Sequence, residues 1–266
     1  MRSALSQLPG FYGEPVYLDV AHFGSAGLAG RVPGARQREI AGPGDLGDVV
    51  RGHRLVIGHY AAASLLDAGC TGLAVQVREP RSRVLSLYRF WQENPAEERA
   101  SWGPWGSDLV ALADRPLGEF LRSGTVWPAV DNAIRRQLLA PGPPPARVRT
   151  ARGRRRFASD ARYPLLRDTL RVVAWSGDSE DFLARVCGEL GVTSVPVLER
   201  ENVTRVRAEP QVVDRATYRR LVTLTAGDTA VLDRLTSDGL LRRRSAEDLD
   251  REFAETARRL SFTLDI

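Results

Sequence analysis

Histidine is scarce in this chain, which makes each one informative: only His22, His53 and His59 occur. His59 follows the apolar run LVIG, so it stands at the carboxyl edge of a strand, where open α/β sheets bind ligands. An imidazole ordinarily titrates near neutrality, and at that place His59 is the best general base the chain offers. His22 also ends a β-rich run and either serves a ligand or braces a turn. His53 precedes its strand, at the opposite end, and reads as a surface residue.

Two further groups of residues suit an anion. Arg78 ends a strand pattern, and Ser86 falls one or two turns into the helix that follows. A guanidinium offers a bidentate fork and a hydroxyl adds a donor. Arg78 has an alternative use as a surface ion pair with Glu79 or Asp114. The run HFGSAGLAG, residues 22–30, follows another strand pattern, and backbone N–H groups of a tight turn there could surround an anion. Its small residues would equally let a helix approach a sheet. The run has neither the spacing nor the lysine of a nucleotide-binding P-loop.

The charge composition sharpens what is possible. Lys plus Arg is 38 against 33 acids, a net +5, and not one of the 38 is Lys. Amine nucleophiles and Schiff bases are therefore excluded as side-chain chemistry, since guanidinium does not replace ammonium in those roles. Cys70 and Cys187 make neither a disulfide framework nor a metal site. Apolar runs are too short to span a bilayer, and the first residues do not read as a signal peptide. A reducing cytoplasm is the expected setting.

The elements that must hold these residues follow from periodicity. Residues 15–20, 55–58, 74–77 and 170–174 read as strands of one mainly parallel sheet. Residues 61–68 read as helical, and a helix beginning near Pro80 places Val84, Leu87, Tyr88 and Trp91 at helical spacing. Further helices are expected over 109–113, 117–121, 128–139 and 179–190, the last ended by Gly191. One or two helices fill 212–241, and a last helix with a short apolar end fills 245–266. Strands alternating with helices indicate a single α/β domain of three layers over residues 1–266.

Residues 141–156 form a Pro/Arg-rich stretch with four prolines, and six arginines lie between 147 and 156. Little apolar surface is available to repay ordering, so the reading is a mobile insertion. It is either a compositional loop, a cationic flap over an anionic ligand, or a weak nucleic-acid contact. No interleaved aromatics or recognised nucleic-acid motif accompany it, which makes nucleic acid a minor candidate.

Taken in order, several of these segments resemble one family. VQVREPRSRVLSLYRFW, residues 75–91, resembles the segment of sulfotransferases that binds the 3'-phosphate of PAPS, the sulfate-donating nucleotide. The likeness is to the branch related to carbohydrate sulfotransferases, including heparan sulfate 2-O-sulfotransferase. Arg78 and Ser86 match that family's phosphate binders. LVIGHY, residues 55–60, resembles the branch's segment carrying its general base, which puts that role on His59. Asn132, Arg136 and Leu138 fall into step with an N-x-x-x-R-x-L helix. VVAWSGDSEDFLARVCGELGV, ENVTR at 201–205 and Asp228 resemble later landmarks.

The resemblance implies a sulfotransferase-like, P-loop-like three-layer fold and transfer of a sulfuryl group from PAPS to a hydroxyl or amine. The acceptor is a small molecule or a sugar, His59 is the base, and no metal is needed. It further places the cofactor against Gly24, Ser25, Ala26, Gly27, Gly30, Arg78, Ser86 and Arg136. The donor loop departs from the family: Ser25 stands where a Lys is expected, Ala26 where a Thr is, and Gly177 where the branch carries Glu. Charge growing on the leaving phosphate then falls to backbone amides at 24–30 and to Arg31, with Ser25 or water left for the proton. A PAPS-independent cyclase, lyase or transferase on the same fold, and a non-catalytic scaffold, are the alternatives.

Overall fold

The computed structural model describes residues 16–18, 35–37, 62–93, 111–140, 160–193, 195 and 209–266. In chain order its elements are β1 (Val16–Leu18), β2 (Ala35–Gln37), α1 (Ala62–Asp67), β3 (Leu73–Val77), α2 (Pro80–Glu93) and α3 (Leu117–Phe120). There follow α4 (Trp127–Val130), α5 (Ala133–Leu139), a 3-10 turn (Asp160–Arg162), α6 (Tyr163–Thr169), β4 (Leu170–Trp175) and α7 (Ser179–Glu189). The chain ends with β5 (Gln211–Asp214), α8 (Arg215–Ser237), α9 (Ala246–Arg259) and β6 (Phe262–Asp265). The α/β class is therefore present. Among the described residues every strand pair is parallel: β1 with β2, β3 with β4, and β5 with β6. The expected strand at 55–58, the turn at 22–30 and the insertion at 141–156 lie outside the described residues.

The chain divides into two compact units, each made of two separate stretches: 1–77 with 136–201, and 78–135 with 202–266. In the first unit, β4 is buried along almost its whole length because Leu170, Val172, Val173, Ala174 and Trp175 face protein on both sides. A strand covered on both faces reads as a continuous apolar run, which is what VVAW is after the exposed Arg171. The amphipathic α7 lays Phe182, Leu183, Val186 and Cys187 against Val172 and Ala174. It stops where Gly191 takes a φ of 69°, a conformation that glycine enters without steric penalty.

In the second unit, α2 supplies Val84, Leu85, Tyr88 and Trp91 to a core completed by α3, α8, α9 and β6. Tyr88 meets the Phe120 ring edge-on at 5.0 Å, and its hydroxyl donates to the Arg115 carbonyl at 2.6 Å. Burial raises the Tyr88 pKa, so this phenol stays a donor. Asp214 and Ser245 cap α8 and α9 by accepting from the Thr217 and Asp248 N–H groups at 2.7 and 3.0 Å.

Three sequence expectations change here. The single helix over 128–139 is two, α4 and α5, broken at Asp131 and Asn132. Asn132 has a φ of 49°, in the left-handed region, and its N–H donates to the Leu224 carbonyl at 2.7 Å. Tertiary bonding to α8 thus overrides a continuous apolar stripe. Residues 212–214 belong to a strand, β5, rather than to the helix after it. The apolar end of the last helix is β6, which pairs with β5 from Gln211–Phe262 to Asp214–Asp265.

Candidate functional site

The site is built where the chain leaves β3 and enters α2. Pro80 opens the helix, a position where a missing N–H is no loss. Glu79 precedes it and is only 2% exposed. Its carboxylate accepts from the backbone N–H groups of Arg81 at 3.2 Å and Ser82 at 2.6 Å, and from Arg81 Nε at 2.6 Å. The first turn of α2 is therefore capped from within by a carboxylate. Its amide dipoles are spent, so an incoming anion cannot rely on the helix start.

The Glu79 carboxylate, one of the two alternative ion-pair partners for Arg78, is thus engaged by Arg81 and the amides of α2. Arg78 Nη1 donates to Ser86 Oγ at 3.0 Å, so the two residues matched by their spacing do meet. Ser86 accepts that bond and keeps its own O–H for a further acceptor, because a hydroxyl is both donor and acceptor. Burial lowers the Arg78 pKa, the nearby charge of Arg259 lowers it further, and Glu252 works the other way. The group remains a cation at any physiological pH. Between Arg78 and Ser86 lies Ser82, wholly buried, whose hydroxyl is the one buried side-chain polar atom among the described residues without a hydrogen-bond partner.

The neighbouring arginines do different work. Arg81 is held by Glu79, by Asp250 at 2.8 Å and by the Tyr218 hydroxyl at 2.8 Å, and it lies 4.8 Å over the Phe253 ring. Burial opposes its charge, but Glu79 and Asp250 outweigh burial and raise its pKa. Arg83 donates to the Ala129 carbonyl at 2.9 Å, and burial lowers its pKa against the pull of Asp228. Neither forms part of a solvated arginine face.

No family model, curated protein or solved structure matches this chain. The site is therefore read from its own geometry.

Asn132 and Asp228, two landmarks of the sequence resemblance, meet at a structural joint. Asn132 Oδ1 accepts the Gly227 N–H at 2.5 Å, and Asp228 Oδ1 accepts the Arg135 N–H at 2.8 Å. A Cβ on Gly227 would stand 2.6 Å from Asn132 Oδ1, so the close approach requires glycine there. Arg136 is buried in α5 and belongs to the first unit, as does the buried Leu138. Gly177 lies in the turn after β4, where Ser176 N–H donates to the Val77 carbonyl at 2.6 Å. Close by in that unit, Gln76 Nε2 donates to Ser179 Oγ at 2.8 Å.

Gly24, Ser25, Ala26, Gly27, Gly30, Arg31 and His59 lie outside the described residues. Sequence reasoning missed the capping role of Glu79, although a carboxylate directly before a proline-opened helix is a usable signal. It also missed the influence of the Arg259 and Glu252 charges on Arg78, since nothing in local sequence ties residues 252–259 to residue 78. No group of three or more metal-ligating side chains occurs among the described residues. No described helix is long and apolar enough to cross a membrane.

Proposed function

We propose that the Arg78–Ser86 pair binds the 3'-phosphate of a PAPS-type nucleotide and that the protein transfers a sulfuryl group to a hydroxyl or amine of a small molecule or sugar. The observation that carries this reading is the 3.0 Å bond from Arg78 to Ser86 at the end of a parallel strand, beside a helix start already neutralised by Glu79. The donor set suits a phosphate: a planar fork from Arg78 and a hydroxyl proton from Ser86. The buried, unpartnered hydroxyl of Ser82 one turn away adds a polar group on the same helix.

In this reading PAPS supplies the sulfuryl group, and the chain's residues bind, orient and move protons. The sequence resemblance gives His59 the role of taking the proton from the acceptor, and gives Ser25, Arg31 and the amides of 24–30 the role of stabilising charge on the leaving phosphate. A missing charge-stabilising donor commonly costs about 10²–10³ in rate, so the lysine-free donor loop makes a slow enzyme. The absence of lysine also favours a second reading, a PAPS-independent cyclase, lyase or transferase with the same phosphate subsite.

Calorimetric titration with PAP and PAPS tests the proposal. The expected result is binding of both by the wild type, with Arg78→Ala weakening PAP about 100-fold while the thermal midpoint stays near that of the wild type. A dissociation constant for PAP above about 1 mM overturns it. Binding of PAP without transfer of labelled sulfuryl from PAPS to any acceptor directs the assignment to the second reading.

A further inference from the structure

The 23-residue helix α8 has two faces of opposite use. Leu221, Leu224, Val231 and Leu235 enter the core along one helical stripe. On the other side Arg219, Val222, Ala226, Ala230 and Asp233 are all exposed, and Val222 keeps 42% of its surface in water. This outer row is symmetric about Ala226 in everything but charge. Val222 and Ala230 stand one turn to either side of it, and Arg219 and Asp233 two turns to either side.

Neither end charge is used within the chain. Arg219 and Asp233 lie about 21 Å apart along the axis, and no opposite charge stands three or four residues from either. Among the described residues their side chains make no hydrogen bond or ion pair. The hydroxyls on this side are already satisfied. Thr223 Oγ1 donates to the Arg219 carbonyl at 2.8 Å, Thr229 Oγ1 to the Thr225 carbonyl at 3.3 Å, and Ser237 Oγ to the Asp233 carbonyl at 2.9 Å. Covering the face therefore strands no hydroxyl donor. A second α8 laid antiparallel, with its Ala226 on the first, sets Arg219 of each copy opposite Asp233 of the other. Val222 of each copy then packs on Ala230 of the other, and the alanines let the axes approach to about 8 Å. A parallel pair would set Arg219 against Arg219 and Asp233 against Asp233, which repel.

We propose that the outer face of α8 docks a second copy of this chain, the two helices running antiparallel across a dyad at Ala226 with reciprocal Arg219–Asp233 pairs. Such an interface is isologous and closes at two copies. One helix pair falls at the small end of specific interfaces, below about 1,200 Å², so the association is weak and reversible. It is independent of the Arg78–Ser86 site and of the reaction assigned to it.

Sedimentation equilibrium of the full chain tests it. The wild type is expected to show a monomer–dimer equilibrium with a dissociation constant of about 10–100 μM. Arg219→Asp and Asp233→Arg each place like charges face to face and are expected to weaken the dimer about tenfold or more. Both positions are exposed, so the circular dichroism and thermal midpoint of the dilute variants stay near those of the wild type. An equimolar mixture of the two variants is expected to regain wild-type association, since every facing pair in the mixed dimer is again opposite in sign. The chain carrying both substitutions regains it for the same reason. A wild type that stays monomeric up to about 500 μM overturns the inference. A dimer indifferent to both single variants overturns it as well, by placing the contact on another surface. A mixture that associates no better than either variant alone overturns the antiparallel pairing and the inference with it.

Discussion

The two ends of α2 each hold a substantially buried arginine, and they treat it in opposite ways. At the carboxyl end, Arg89 is wholly buried and is met by the molecule's own acceptors: the carbonyls of Leu260, Glu209 and Ser261, the Gln92 side chain, and the Phe262 ring at 4.3 Å. Burial lowers its pKa, yet a guanidinium surrounded by oriented carbonyls stays charged and acts as a strut. At the amino end, Arg78 meets a serine hydroxyl and feels another cation, Arg259. The same residue type is tied to backbone carbonyls at one end and to a serine hydroxyl of the helix at the other. What separates them is the neighbour's sign and directionality, rather than burial.

The largest expected effect breaks the architectural end. Arg89→Met should lower unfolding free energy by about 2–4 kcal/mol, because the buried Leu260 carbonyl and the Glu209 carbonyl lose their guanidinium donor at a wholly buried position. Urea denaturation measures it, and a loss of under about 1 kcal/mol would remove the contrast between the ends. A smaller effect of opposite sign sharpens it. Ser82→Ala deletes the unpartnered buried hydroxyl and should stabilise the protein by about 1 kcal/mol in the same assay. A clear loss of stability would show that this hydroxyl is satisfied in solution.

The smallest effect concerns acid. Asp214 caps α8 and Asp248 reaches back to the Ser245 cap of α9, the two helices that pack on α2, and hydrogen bonds from Thr217 and Ser245 respectively hold their carboxyls below the usual range. A folded pKa below the unfolded one means stability that is complete above about pH 4 and is lost as pH falls through the lowered values. Thermal midpoints recorded from pH 6 downward should fall more steeply for the wild type than for Asp214→Ala or Asp248→Ala. Arg89 remains charged throughout this interval, so its strut should be insensitive to the same titration. Parallel curves for all three proteins would show that the caps contribute nothing over this range.

Much of this arrangement was legible in sequence because it is local. The strand LAVQV, the proline that opens α2 and the eight-residue spacing from Arg78 to Ser86 lie within one continuous segment, and periodicity reports such segments directly. The boundary of α7 was legible for the same reason, since Gly191 marks it. The break between α4 and α5 was not, because its cause is the Leu224 carbonyl and the Gly227 amide, about 90 residues away. Strands β5 and β6 were missed because four-residue pairs with exposed Val212 and Thr263 give no alternating stripe long enough to read. Arg259 was missed because its relation to Arg78 exists only after α9 has packed on α2.

The strut at Arg89 also has a cost in time. Arg89 and the carbonyl it grips at Leu260 are 171 residues apart in the chain. At about 5–20 residues per second, a ribosome needs on the order of ten seconds or more to supply the second after the first. Through that interval Val84, Leu85 and Tyr88 have emerged without α8, α9 or β6 to cover them. A nascent chain in this state offers an apolar helix face to any holdase that scans the exit tunnel, and its folding waits on the arrival of its last strand.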